Sequence, residues 1–200
     1  MSGWHNPPSF TMDFLWRQHD VHFIKVKQPY ADLLVRGIKD IENRTWSLKP
    51  SRFPVYVLIV SSKSKPTKEH MQDALDRFQG SKGFSPPTPV APSDTSTVIP
   101  AKPWEAQPLA LHPPGEYSLQ YIVGVVRIAG CYEPDKLPWQ TSWHVDGSLA
   151  WAVDDAWAFE QPIPLAEDDK FQTQVSLAKN PRYNEKIILE LRKLADEQVG

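Results

Sequence analysis

Nine of the chain's 20 prolines fall between Gln79 and Glu116, at Pro86, Pro87, Pro89, Pro92, Pro100, Pro103, Pro108, Pro113 and Pro114. Proline lacks a backbone N–H and clashes with the preceding helical turn, so neither a helix nor a central strand can run through such a stretch. Regular structure is therefore confined to its two sides. The segment reads as a long insertion loop, which Trp104 and Leu109 to Leu111 could pin to a core. At 200 residues the chain is long enough for one domain with decorations.

On the near side, Phe23 to Val26 reads as a short strand, and Gln28-Pro29 opens a helix because proline in the first turn needs no donor. Ala31, Leu33, Leu34 and Val35 give that helix an apolar side, and Gly37 ends it. Glu42 to Trp46 is assigned as a strand, and Val55 to Val60 as a strand buried on both faces or nearly so. Ser64 and Pro66 start a second helix with Met71, Ala74, Leu75 and Phe78 on one side. On the far side, Tyr121 to Ala129 is a strand in which Gly124 marks a bulge or a close backbone approach. Trp151 to Val153 and Ala156 to Phe159 read as two short strands before Pro162-Ile163-Pro164. Asn180-Pro181 caps a last helix striped by Ile187, Ile188, Leu191, Leu194 and Ala195.

No run of 18 apolar residues occurs, and Trp4, His5, Pro7, Pro8, Asp13, Arg17 and Asp20 interrupt the first 20, so neither a membrane span nor a secretory signal is expected. Cys131 is the single cysteine, which excludes an intramolecular disulfide and a Cys-rich zinc module. The expectation is an intracellular protein, cytoplasmic or nuclear, and a monomer. A net charge of −2 argues against a generic DNA-coating protein. Yet residues 25 to 65 carry nine cations against three carboxylates, while an acidic stretch runs from 131 to 170. A basic face beside an acidic one fits a directed anionic ligand, with two ordinary solvated faces as the alternative.

The chemistry concentrates between Gln28 and Trp46. A helix, a glycine stop, then Lys39, Glu42 and Arg44 put a cation, a carboxylate and a guanidinium near the mouth of a strand. Residues 42, 44 and 46 share one face of such a strand. Together they offer a guanidinium for phosphate or a base edge, a carboxylate for an exocyclic amine, and an indole for stacking. The structural alternative is a Glu42 to Arg44 ion pair holding the strand end, with Trp46 in the core.

The pattern QPxAxLxxxGxKxxExR, Gln28 to Arg44, resembles the signature of the ASCH (activating signal cointegrator homology) domain, a PUA-like fold. The resemblance continues through Val55 to Lys63, Ile122 to Val126, Trp151 to Val153 and Pro162 to Pro164, covering roughly 23 to 165. It implies an α+β fold: a small mixed β-barrel flanked by α-helices, here with a proline-rich insertion and a C-terminal helix. The domain would run over 23–170 with the insertion at 79–116, between an N-terminal extension over 1–22 and a C-terminal helical extension over 171–200. It also implies binding of nucleic acid, RNA above all, or of a modified nucleotide, in a cleft lined by the GxKxxExR motif. Lys39, Glu42 and Arg44 are the ligand-binding candidates, followed by Gln28, Trp46, Ser61 and Lys63. Lys39 and Lys63 would contact phosphate, and Trp46 would stack if exposed.

A hydrolase of acylated nucleosides or RNA is the enzymatic alternative, with Lys39 and Glu42 as an acid-base pair. Some bacterial relatives are amidohydrolases in which a threonine follows the lysine by three residues. Glu42 holds that place here and cannot act as a hydroxyl nucleophile. A protein-interaction module using 86–114 as a recognition loop is the third reading.

Other features carry less. His19 and His22 lie one helical turn apart without a third ligand, so no metal site is expected, and no cofactor is implied. Cys131 reads as a small buried residue, Trp143 and Trp151 as further stacking candidates, and Asp154-Asp155 with Glu160 as a hairpin turn. No GxxxxGK[ST], GxGxxG, HExxH or GxSxG pattern appears, which leaves nucleotide hydrolysis, dinucleotide redox chemistry and the common hydrolases without motif support.

Overall fold

The computed structural model describes residues 22–48, 53–81, 109–166 and 181–197. Five strands, β1 (His22–Val26), β2 (Ile41–Arg44), β3 (Val55–Ser61), β4 (Tyr121–Tyr132) and β5 (Leu149–Pro164), form one sheet in the order β1-β3-β4-β5-β2. β1 runs parallel to β3, and the other pairs are antiparallel. Among the described residues three α-helices accompany it: α1 (Tyr30–Val35), α2 (Lys68–Ser81) and α3 (Pro181–Glu197). This is an α+β fold.

β-Strand alternation divides the apolar side chains between two faces. One face carries Phe23, Leu58, Val125 and Ile163 under Tyr183, Ile187 and Leu191 of α3. The other carries Ile24, Val57, Ile59, Val126 and Trp151 under Ala31, Leu34 and Val35 of α1. With both faces covered, all seven residues of β3 are buried, as the uninterrupted apolar run predicts. A third cluster, with Leu33, Ile38, Ile41, Ala74, Phe78 and Trp143, fixes α2 beside α1 and β2. Leu109 and Leu111 pack on its edge, so the far end of the proline-rich stretch is held to the core as expected. Trp104, most of 79–116, the N-terminal extension and Asn180 lie outside the described residues.

Several expectations are corrected. The sheet is a half-barrel: β1 and β2 are its outer strands, and no backbone ladder joins them among the described residues. β5 is one strand of 16 residues rather than two short ones, because it pairs with β4 along its length and with β2 near its start. Register shifts opposite Ile122 to Gly124 and Arg127 to Gly130 absorb its bends. Asp154 and Asp155 therefore sit within a strand and not in a turn, and Arg127 grips Asp154 through two contacts of 2.9 Å. β2 stops at Arg44, so Trp46 lies beyond it. Cys131 is half-buried, with the Ser47 hydroxyl 3.7 Å from its sulfur. No helix among the described residues is long and apolar enough to cross a membrane.

Candidate nucleic-acid interface

A cleft of about 640 Å³ opens where the end of β1, the start of α1, β2, one side of α2 and the Trp143 to Val145 loop converge. Local sequence sets up its floor. Gly37 adopts φ +70° after α1, and the backbone reverses so that the N–H groups of Ile38 and Lys39 both donate to the Leu33 carbonyl. This turn feeds directly into β2 and points Lys39 back along it. Lys39 Nζ donates to the Ile41 carbonyl and, at 2.8 Å, to Glu42 Oε2, with 5% of its side chain exposed.

Glu42 Oε1 is 2.8 Å from Arg44 Nη2, so the carboxylate lies between two cations and 8% of its side chain is exposed. The motif folds into a Lys39–Glu42–Arg44 triad. Arg44 Nη2 also donates to the Lys25 carbonyl at 2.8 Å, so one nitrogen serves both the ion pair and the backbone of β1. Arg44 Nη1 has no partner among the described residues, and its Nε is buried without one. The Glu42 to Arg44 ion pair of the structural alternative thus exists, at the edge of the cleft.

The other candidates separate from it. Gln28 is buried and serves the start of α1, its Oε1 accepting from the Asp32 N–H at 3.1 Å while its Nε2 donates to the Ser118 carbonyl. Ser61 is buried and exchanges hydrogen bonds with the Tyr121 backbone. Trp46 packs edge-on against Trp151 with ring centroids 4.6 Å apart, and Lys63 is exposed; neither lines the cleft. Trp143 and Trp151 are 1% and 0% exposed, which removes both as stacking platforms. Trp143 still contributes to the cleft wall, and its indole Nε1 is buried without a partner among the described residues.

The opposite wall comes from residues that no motif marks. Thr67 and His70 cap α2 reciprocally: the Thr67 N–H donates to His70 Nδ1 at 3.2 Å, and the His70 N–H donates to Thr67 Oγ1 at 3.3 Å. His70, Asp73 and Arg77 follow along the helix and line the cleft with Glu69 and Tyr30. Tyr30 Oη donates to Asp73 Oδ2 at 2.6 Å, and Arg77 Nε donates to both Asp73 oxygens at 2.9 Å. Arg77 is itself fixed by the Ser142 and His144 carbonyls. Burial alone would raise the Asp73 pKa, but the hydrogen bonds from Tyr30 and Arg77 and the Arg77 charge hold it below the ordinary value. The sequence signal for this wall is the i, i+4 pairing of Asp73 with Arg77.

Lys25 and Lys27 are exposed and complete the lining, so the cleft carries five cations against three carboxylates. No group of three His, Cys, Asp or Glu residues able to hold a metal occurs among the described residues.

A family model described as the ASCH domain matches residues 24–144, more than half of the chain. The match ends before β5, short of the 165 suggested by the order of motifs, yet it contains every residue lining the cleft except Val145. No curated protein matches the chain.

Proposed function

Because the chain belongs to the ASCH domain family, we propose that it binds single-stranded RNA in the cleft beside the Lys39–Glu42–Arg44 triad. ASCH domains are associated with RNA binding, and the observation that carries the reading is the composition of the cleft mouth. Exposed Lys25 and Lys27 stand beside a guanidinium whose Nη1 is unpartnered among the described residues, at the edge of a space of about 640 Å³. Exposed cations contact phosphate, while fixed hydrogen-bonding groups deeper in a cleft meet base edges. Lys39 and Glu42 would keep Arg44 in place, and the phosphate contacts pass to Lys25, Lys27 and Arg44 Nη1.

The test is a fluorescence-anisotropy titration of short single-stranded and duplex RNA and DNA at two salt concentrations, with wild type beside Lys25→Ala/Lys27→Ala. Binding to single-stranded RNA that weakens with salt and with the double substitution is the expected result. Affinity unaffected by either would remove the cleft from the reading.

A further inference from the structure

The cleft holds two kinds of carboxylate. Glu42 has 8% of its side chain exposed and carries a cation on each oxygen, so it is largely closed off from a ligand by burial and its charge is already matched. Asp73, from α2 across the cleft, has 41% of its side chain exposed. Its orientation is nevertheless fixed, by Tyr30 at 2.6 Å and by Arg77 at 2.9 Å. Oδ2 accepts from both residues, whereas Oδ1 accepts from Arg77 alone and keeps a lone pair open.

We infer that Asp73 is the base-reading group of the cleft, accepting a hydrogen bond from an exocyclic amine, so that the RNA bound there presents an amino-bearing base and not uracil. This rests on the RNA reading above. An ionised carboxylate can only accept. An amino group of cytosine or adenine reaches Oδ1 from the exposed edge of the base, whereas uracil sets its O4 acceptor there and keeps its one donor on that edge, the N3–H, recessed between two carbonyls. The anchoring of Asp73 matters because a carboxylate already held in one geometry loses little side-chain freedom on meeting its partner.

The experiment compares 5′-labelled octamers of oligo(C), oligo(A) and oligo(U) by anisotropy, with wild type, Asp73→Asn and Lys25→Ala. The expected result is that wild type binds oligo(C) and oligo(A) about tenfold or more tighter than oligo(U). Asp73→Asn, whose amide can donate to O4, narrows or reverses that preference. Equal wild-type affinity for all three octamers, each weakened by Lys25→Ala, overturns the inference and leaves RNA binding in place. Absence of binding to any octamer overturns both. Should Asp73→Asn fail to fold for want of its Arg77 pair, the wild-type comparison still decides.

Discussion

Arg44 on β2 donates from Nη2 to the carbonyl of Lys25 on β1 at 2.8 Å, so the two outer strands of the sheet are joined by a side chain and not by a ladder. The same nitrogen meets Glu42, and the guanidinium lies 6.0 Å from the Trp151 ring. Arg44 therefore belongs both to the frame and to the cleft. Closure into a barrel is one way for a small sheet to remove its two open edges. Here no ladder joins β1 and β2 among the described residues, and both strands contribute residues to the cleft lining.

Removing Arg44 should cost stability as well as binding. Arg44→Ala leaves Glu42 paired with Lys39 alone and the Lys25 carbonyl without its donor, a loss of about 2 kcal/mol. Arg44→Lys restores the charge but not the planar guanidinium that meets both Glu42 and the Lys25 carbonyl, and should recover part of it. Urea unfolding followed by tryptophan fluorescence measures both, and an unchanged midpoint for Arg44→Ala would show that the edge contact contributes nothing.

Glu42 should be the more sensitive position. Glu42→Gln strands Lys39, whose side chain is 5% exposed, without a counter-charge, at a cost of about 3 kcal/mol. Replacing the pair together, as Lys39→Met/Glu42→Gln, should be milder than Glu42→Gln alone, because no uncompensated buried cation is left. A double variant no more stable than the single one would contradict the charge-pair account.

Binding should report the exposed lysines through salt. For single-stranded RNA each neutralised phosphate contributes about 0.7 to the slope of log affinity against log salt. Lys25→Ala and Lys27→Ala should each flatten that slope by about this amount, while Lys63→Ala, outside the cleft, leaves it unchanged. A flattening by Lys63→Ala equal to the other two would place the RNA elsewhere on the basic face.

How far the sequence discloses this arrangement depends on the range of the contacts. Pro29, the apolar side of α1 and Gly37 act within one helix and one turn, and they mark α1 with its termination. Lys39, Glu42 and Arg44 are close in sequence and meet through that same turn. The second wall is different: Tyr30 meets Asp73 across 43 residues, and Arg77 meets Ser142 across 65, so no local spacing announces either contact. β5 was obscured for another reason. Its acidic pair, Asp154-Asp155, and Pro162 look like interruptions until Arg127 and the register shifts of β4 are placed beside them.

The two partners of the second wall, Tyr30 and Asp73, should answer to pH in opposite directions. Burial, then the hydrogen bond to Asp73 and the Asp73 charge, push the Tyr30 phenol above its ordinary value of 10.0. A raised folded value gives stability that is fully present below pH 10 and lost as the pH rises toward it and beyond. Asp73, held below its ordinary 3.8, works in the opposite direction, its contribution present above about pH 4 and lost as the pH falls further. Tyr30→Phe should therefore lose less stability than wild type as the pH rises above about 10, as measured by urea midpoints. An identical alkaline loss would assign it to Tyr56 and Tyr117, whose phenols are also raised by burial, that of Tyr117 to about 12.

Gly124 offers the sharpest test of the packing that carries the cleft. It lies in β4 under α1, and a Cβ placed there would sit 2.2 Å from the Trp157 carbonyl oxygen and 2.9 Å from Val35 Cγ1. The first is backbone on a paired strand and cannot yield without breaking the β4 to β5 ladder, whose register shifts at this position. The second belongs to α1, the helix that sets Tyr30 and leads into the Gly37 turn. Gly124→Ala should therefore cost about 3 kcal/mol or more, at the upper end of overpacking effects. Because the strain falls on β5 and α1 together, the cleft should loosen before the whole sheet does. Hydrogen exchange in the variant should show early deprotection over Tyr30 to Lys39, while β1 and β3 stay protected. A variant of wild-type stability would mean that β4 can shift away from α1, and the position of α1 would then need another support.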